Sequence, residues 1–252
     1  MTTAPLAQGL EQTISRPWWR PWRAVLIGFV IAFVVGMVCA EITKSFGNWD
    51  HGYQWEADLM LWIHRPLPGW LDLVVLTTPW FGTNLSLIPV IAGLSWWLWR
   101  HCARPDLTAQ LVTVQLGSYL LNPSLKALYE RERPSLFERR GWYAWSSYPS
   151  GHAIASVSVL IAVAIVVYRA KGWRWPFFVL VPIVIASIYS RIYLGVHWPT
   201  DVFAGSGVGA VWLGVTIYAF RDRRAKSPEH TGEPGGVDVS TTDDRGDSLS
   251  IS

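Results

Sequence analysis

Apolar and polar residues are segregated along this chain into long blocks, not into the short alternations of a soluble fold. Six blocks are mainly apolar: Ala24–Ala40, Leu85–Trp99, Leu107–Leu125, Ala153–Tyr168, Pro176–Leu194 and Val202–Phe220. A bilayer core about 30 Å thick takes roughly 20 such residues per helix, so the blocks predict six membrane-spanning helices. The second has a soft upstream edge, because Leu71–Phe81 is also apolar and Pro79, Gly82 and Pro89 interrupt the run. The third carries Gln110, Gln115 and Asn122, which predicts a helix turned toward other helices and away from lipid. Between the first two blocks, Trp55, Leu59, Trp62 and Ile63 recur at helical spacing, with Glu56, Asp58 and His64 among them. That segment predicts a short amphipathic helix lying on the outer membrane surface.

Composition agrees with a membrane protein. Of the 252 residues 51% are apolar and 15% charged, whereas about a quarter of a soluble domain is charged. The net charge of +3 is too small to suggest nucleic-acid binding. Cys39 and Cys102 stand far apart, so neither a disulfide framework nor a cysteine-rich metal site is expected. His51, His64 and His101 are scattered and make no ligand set, so no metal is expected either. The first apolar run follows a polar leader without a small-residue cleavage site, and no cleavable signal is predicted.

Charge gives an orientation. Arg16, Arg20 and Arg23 precede the first block, and Arg100 and Arg104 follow the second. Arg169, Lys171 and Arg174 follow the fourth, and Arg221, Arg223, Arg224 and Lys226 follow the sixth. With six spans all of these fall on one side, and an excess of Lys and Arg marks the cytoplasm. Tryptophans 18, 19, 22, 96, 97, 99, 173 and 175 cluster beside them like an interfacial belt. The expected organisation is a cytoplasmic N-terminal segment (1–23), an all-α membrane bundle of six spans (24–220) and a polar, disordered cytoplasmic tail (221–252).

Three polar clusters then share the outer side: "KALYERERP" (126–134), "YPSGHA" (148–153) and "SRIYLGVHWPTD" (190–201). Positive charge is out of place there, and a cation at the edge of the hydrocarbon needs an anionic partner. Lys126, Arg133 and Arg191 stand out for that reason.

Together the clusters resemble, in order and spacing, the signature of the type 2 phosphatidic acid phosphatase superfamily. That signature reads here as Lys126…Arg133-Pro134, then Pro149-Ser150-Gly151-His152, then Ser190-Arg191…His197…Asp201. The resemblance implies a metal-independent phosphatase, with no cofactor, acting on a membrane lipid phosphate outside the cytoplasm. Polyprenyl diphosphate, phosphatidylglycerol phosphate and phosphatidate are the candidate substrates. It implies His197 as the nucleophile that forms a phosphohistidine, and His152 as general acid and later the base that activates water. Asp201, one helical turn beyond His197, can bond the other ring nitrogen and set the tautomer. Lys126, Arg133 and Arg191 would hold the phosphoryl oxygens, the arginines through planar forks. Ser150 and Gly151 open a helix, whose free N–H groups favour an anion.

The same anion site is shared by the vanadium-dependent haloperoxidases, but those relatives are soluble and six spans argue against them. A non-catalytic carrier of anionic lipid would not need a complete His–His–Asp set. Arg131, Arg139, Arg140, Glu130 and Glu132 match nothing in the signature and read as a solvated lattice of charges at helical spacing. The glycines of Gly205–Gly209 lie within an apolar block and read as helix-packing positions, not as a nucleotide loop.

Overall fold

The first apolar block folds as one helix, α1 (Arg20–Ser45), and its small residues decide what it packs against. Gly28, Ala32, Gly36 and Ala40 recur every fourth residue, so they form one stripe along the helix. A Cβ on Gly28 would lie 1.9 Å from Val215, and one on Gly36 would lie 2.6 Å from Leu125. The stripe therefore lets backbone approach neighbouring helices closely, as small residues do within membranes. Leu26, Ile27, Val30, Val34 and Val38 are exposed on the other face. That face is apolar and uncovered, as a face turned to lipid would be.

The computed structural model describes residues 20–140 and 146–221, and among these every regular element is a helix. The residues before 20, residues 141–145 and the tail from 222 onward lie outside the described residues, and with them the expectation of a disordered tail. After α1 come α2 (Gln54–Ile63), α3 (Gly69–Thr77), α4 (Asn84–Cys102) and α5 (Pro105–Lys126). Then follow α6 (Gly151–Lys171), α7 (Trp175–Tyr193) and α8 (Pro199–Ala219).

The soft edge of the second block is a bend. A 3₁₀ turn over Thr78–Gly82 joins α3 to α4, and the two arms, Gly69–Gly82 and Leu85–Cys102, are bent by 59°. Pro79 contributes no N–H to a continuous ladder there. Gly82 sits where a Cβ would lie 2.8 Å from Ser156 Oγ and 3.2 Å from the His152 ring, so the elbow presses its backbone against α6. Among the described residues four helices are long and apolar enough to cross a membrane: Pro21–Ser45, Gly151–Lys171, Trp175–Tyr193 and Pro199–Ala219. The bent pair makes a fifth candidate.

Helix α5 falls short of that apolarity because its inner face is polar. Gln110 and Gln115 are buried, as are Thr113 and Ser118, so the helix is turned inward as its sequence predicts. Gln110 Oε1 accepts from Arg169 of α6 at 2.6 Å. Trp212 of α8 covers Gly117 and donates its indole N–H to the Val114 carbonyl at 3.0 Å.

Within the glycine run of α8, Gly205 and Gly209 are packing positions. A Cβ on them would lie 2.6 Å from the Ser150 carbonyl oxygen and 2.7 Å from that of Ile154. The start of α8 is thereby seated on the start of α6. A π turn over Ser156–Leu160 interrupts α6 one turn later; such turns recur near functional sites. Helix α2 forms where its spacing predicts, but Glu56 is wholly buried beside Met60, while Trp55 and Trp62 are exposed.

Candidate active site

The three polar clusters meet where helices end. Lys126 is the last residue of α5, His152 lies in the first turn of α6, Arg191 in the last turn of α7, and Asp201 in the first turn of α8. His197 sits in the short link between α7 and α8. That link is shaped by the Arg191 carbonyl, which accepts from the N–H groups of Val196 at 3.2 Å and His197 at 3.4 Å. Gly195 turns the chain there with φ of +69°, a left-handed conformation that glycine adopts without steric cost.

His197 is buried, and its two ring nitrogens face different surroundings. Nδ1 lies 3.8 Å from Asp201 Oδ2 and 3.5 Å from Ser147 Oγ. Nε2 lies 3.5 Å from Arg133 Nη1. Burial pushes the imidazole down to about 3, Arg133 and Lys126 push the same way, and Asp201 opposes them. The ring is therefore neutral near pH 7, with a lone pair to offer. Asp201 is held on both oxygens: Oδ2 accepts from the Trp198 N–H at 3.0 Å and from the Ser147 hydroxyl, and Oδ1 accepts from Arg131 at 2.7 Å.

The cations surround the same space. Lys126 Nζ donates to the carbonyls of Ser146 and Ser147, the latter at 3.3 Å. Arg133 donates to the carbonyls of Val196 and Ser146, the latter at 3.3 Å. Arg191 is wholly buried, with Nε and Nη2 each 3.2 Å from Ser190 Oγ. Ser150 donates its N–H to the Asp201 carbonyl at 3.1 Å, while its buried hydroxyl has no hydrogen-bond partner among the described residues. A Cβ on Gly151 would lie 2.6 Å from the Asn122 amide, so a larger residue there must displace that side chain. Each sequence-predicted site residue thus lies at one end of the bundle. Among the described residues no group of three or more His, Cys, Asp or Glu is arranged to hold a metal ion.

Two residues that sequence reasoning placed elsewhere belong to this region. Arg131, expected in a solvated lattice, is wholly buried and bonds Asp201; Glu56 is buried against it at 2.9 Å. The helical spacing behind that expectation ends with α5 at Lys126, and residues 129–135 have no helical structure. Burial there alternates: Tyr129 and Arg131 are inside, Glu130 and Glu132 outside. A period of two is the signature of extended chain, and it was legible in "YERERP". Arg139, Arg140, Glu130 and Glu132 are exposed as expected. Ser147, against both Asp201 and His197, carried no sequence signal.

Residues 107–225 match the family model described as PAP2 superfamily. The chain carries a PAP2 superfamily domain. The PAP2 match spans the last four long helices and all three clusters. Over 132 residues, half of this chain, it is 28% identical to YbjG of Escherichia coli (strain K12), of which it covers 63%. Over 67 residues, 27% of this chain, it is 37% identical to an undecaprenyl-diphosphatase of Sulfolobus acidocaldarius, of which it covers 30%. It thus spans less than two thirds of the length of either. Over 146 residues, 56% of this chain, it is 28% identical to phosphatidylglycerophosphatase B of Bacillus subtilis (strain 168), covering 70% of that protein. The fold is that of a transmembrane PAP2-type phosphatidylglycerolphosphate phosphatase from Bacillus subtilis. The TM-score is 0.66 at 20% identity, over 82% of this chain and 100% of the other.

Proposed function

We propose that the protein hydrolyses a membrane lipid phosphate or diphosphate, without a metal, through a phosphohistidine on His197. One observation carries the reading: His197 turns Nε2 toward Arg133, within the ring of cations, and Nδ1 toward Asp201. A phosphoryl group held by Lys126, Arg133 and Arg191 would lie against the nitrogen that has the lone pair. In the first step Nε2 bonds to phosphorus and the bond to the lipid oxygen breaks. That oxygen takes its proton from His152. In the second step His152 takes a proton from water, whose oxygen displaces His197 and releases phosphate. Asp201 keeps Nδ1 protonated and faces the positive charge that develops on the ring. The Ser150 hydroxyl and the first N–H groups of α6 offer further donors to the phosphoryl oxygens.

The names of the relatives favour a polyprenyl diphosphate or phosphatidylglycerol phosphate as substrate, with phosphatidate as a third candidate. We place the site on the outer face, with both termini cytoplasmic and α5 as the sixth span. The arginine-rich connections support this orientation.

A phosphohistidine survives alkali and is lost in acid. Detergent-purified protein should take up label from a ³²P-labelled lipid phosphate in the presence of EDTA, retain it on an alkaline quench and lose it on an acid quench. His197→Ala should take up none. Label on the His197→Ala protein, or a requirement for added magnesium, would sink this mechanism.

A further inference from the structure

Arg131 is wholly buried, and it meets Asp201 on Oδ1, the oxygen opposite the one that faces His197 Nδ1. Its guanidinium donates to the Trp49 carbonyl at 2.7 Å, Thr200 Oγ1 at 2.6 Å, Asp201 Oδ1 at 2.7 Å and Glu56 Oε2 at 2.9 Å. The rings of Trp49 and Trp198 flank it, with centroids 4.8 and 5.6 Å away. Glu56 is satisfied in turn. Its Oε1 accepts from the N–H and the hydroxyl of Thr200 at 3.0 and 2.6 Å, and its Oε2 also accepts from the Tyr53 N–H at 3.0 Å.

A surface ion pair would need no such enclosure. Burying three charges is costly, and a fully bonded cluster of this kind fixes geometry more surely than it adds stability. What it fixes is the carboxylate of Asp201. Ser147 and the Trp198 N–H hold one oxygen, and Nη1 of Arg131 holds the other while Nη2 of the same planar fork reaches Glu56. The cluster also sets charge: with one cation and two carboxylates it keeps a single negative charge beside His197. That charge suits a ring that becomes cationic when phosphorylated.

We infer that Arg131 is a positioning residue for Asp201, and that Glu56 of α2 holds Arg131 in place, so that the outer helix is tied to the catalytic pair. The inference rests on the roles proposed above for His197 and Asp201.

The test is a set of full-length variants in detergent or proteoliposomes, read by melting temperature, kcat and KM. Arg131→Met alone leaves two buried carboxylates facing each other, and should lose both stability and activity. Arg131→Met combined with Glu56→Gln leaves the cluster at the same single negative charge but without the fork. The double variant should melt near the wild type yet lose about 10²-fold in kcat, with KM little changed, as expected when a reacting group is misplaced. Near-wild-type kcat in the double variant would overturn the proposal and leave Arg131 a structural ion pair. Should that variant not fold, Arg131→Lys carries the same expectation, because it keeps the charge and loses the fork. Wild type and His197→Ala run beside the series. Equal rates in those two would overturn the phosphatase reading and this proposal together; a His197-dependent rate that the Arg131 series leaves intact overturns this proposal alone.

Discussion

His197 is enclosed by cations and protein on its Nε2 side, and its charge state follows from that enclosure. Its imidazole sits at about 3 in the folded protein, chiefly through burial, whereas an unfolded histidine titrates near 6.5. Between those values the unfolded chain binds the extra proton, so stability falls as pH drops through that window and is fully present above it. His197→Gln, which cannot titrate, should therefore lose less melting temperature than wild type between about pH 6.5 and pH 4.5. Parallel curves for the two proteins would show that His197 is not held neutral by the fold. At this scale the signature residues were legible because chemistry and spacing constrain them together. His197 and Asp201 are four residues apart, and Lys126 precedes the Arg133-Pro134 pair by seven. Arg131 was misread because charges at spacings of three and four suggest a helix, whereas the helix stops at Lys126 and the next residues run extended.

Helices matter here chiefly through where their ends meet. The start of α8 is locked to the start of α6 by Gly205 and by the bond from the Ser150 N–H to the Asp201 carbonyl. Adding a methyl group at Gly205 drives it into backbone, which cannot swing aside. Gly205→Ala should therefore destabilise the protein by about 1–3 kcal/mol, the usual cost of overpacking, and lower activity by separating Ser150 and His152 from Asp201. Gly207→Ala, on a face with nothing within 4 Å, should keep both stability and activity. Thermal melts and lipid phosphatase assays on the pair check this; equal loss in both would mean the effect is helix-wide and not a matter of contact. The glycine run announced close packing, but sequence could not say which of its members touch backbone. The same holds for the elbow at Gly82, where Pro79 and Gly82 signalled a break without showing that it would press on His152.

For the molecule as a whole, the distribution of Lys and Arg supplies a direction that helix packing alone does not. In the proposed orientation Cys102, at the end of α4, lies on the cytoplasmic side. A membrane-impermeant thiol reagent should therefore label it only in opened cells. Labelling in intact cells would invert the orientation and move the site to the inner face. Six apolar blocks were readable at once, and the polar third block was correctly read as inward-facing. Its cover was not readable, because Trp212 lies almost a hundred residues further along the chain. That separation bears on how the protein is made. Helix α5 leaves the ribosome well before α8, so Gly117 stays uncovered until the tryptophan that packs on it has been made. A nascent chain cut short before α8 lacks that cover.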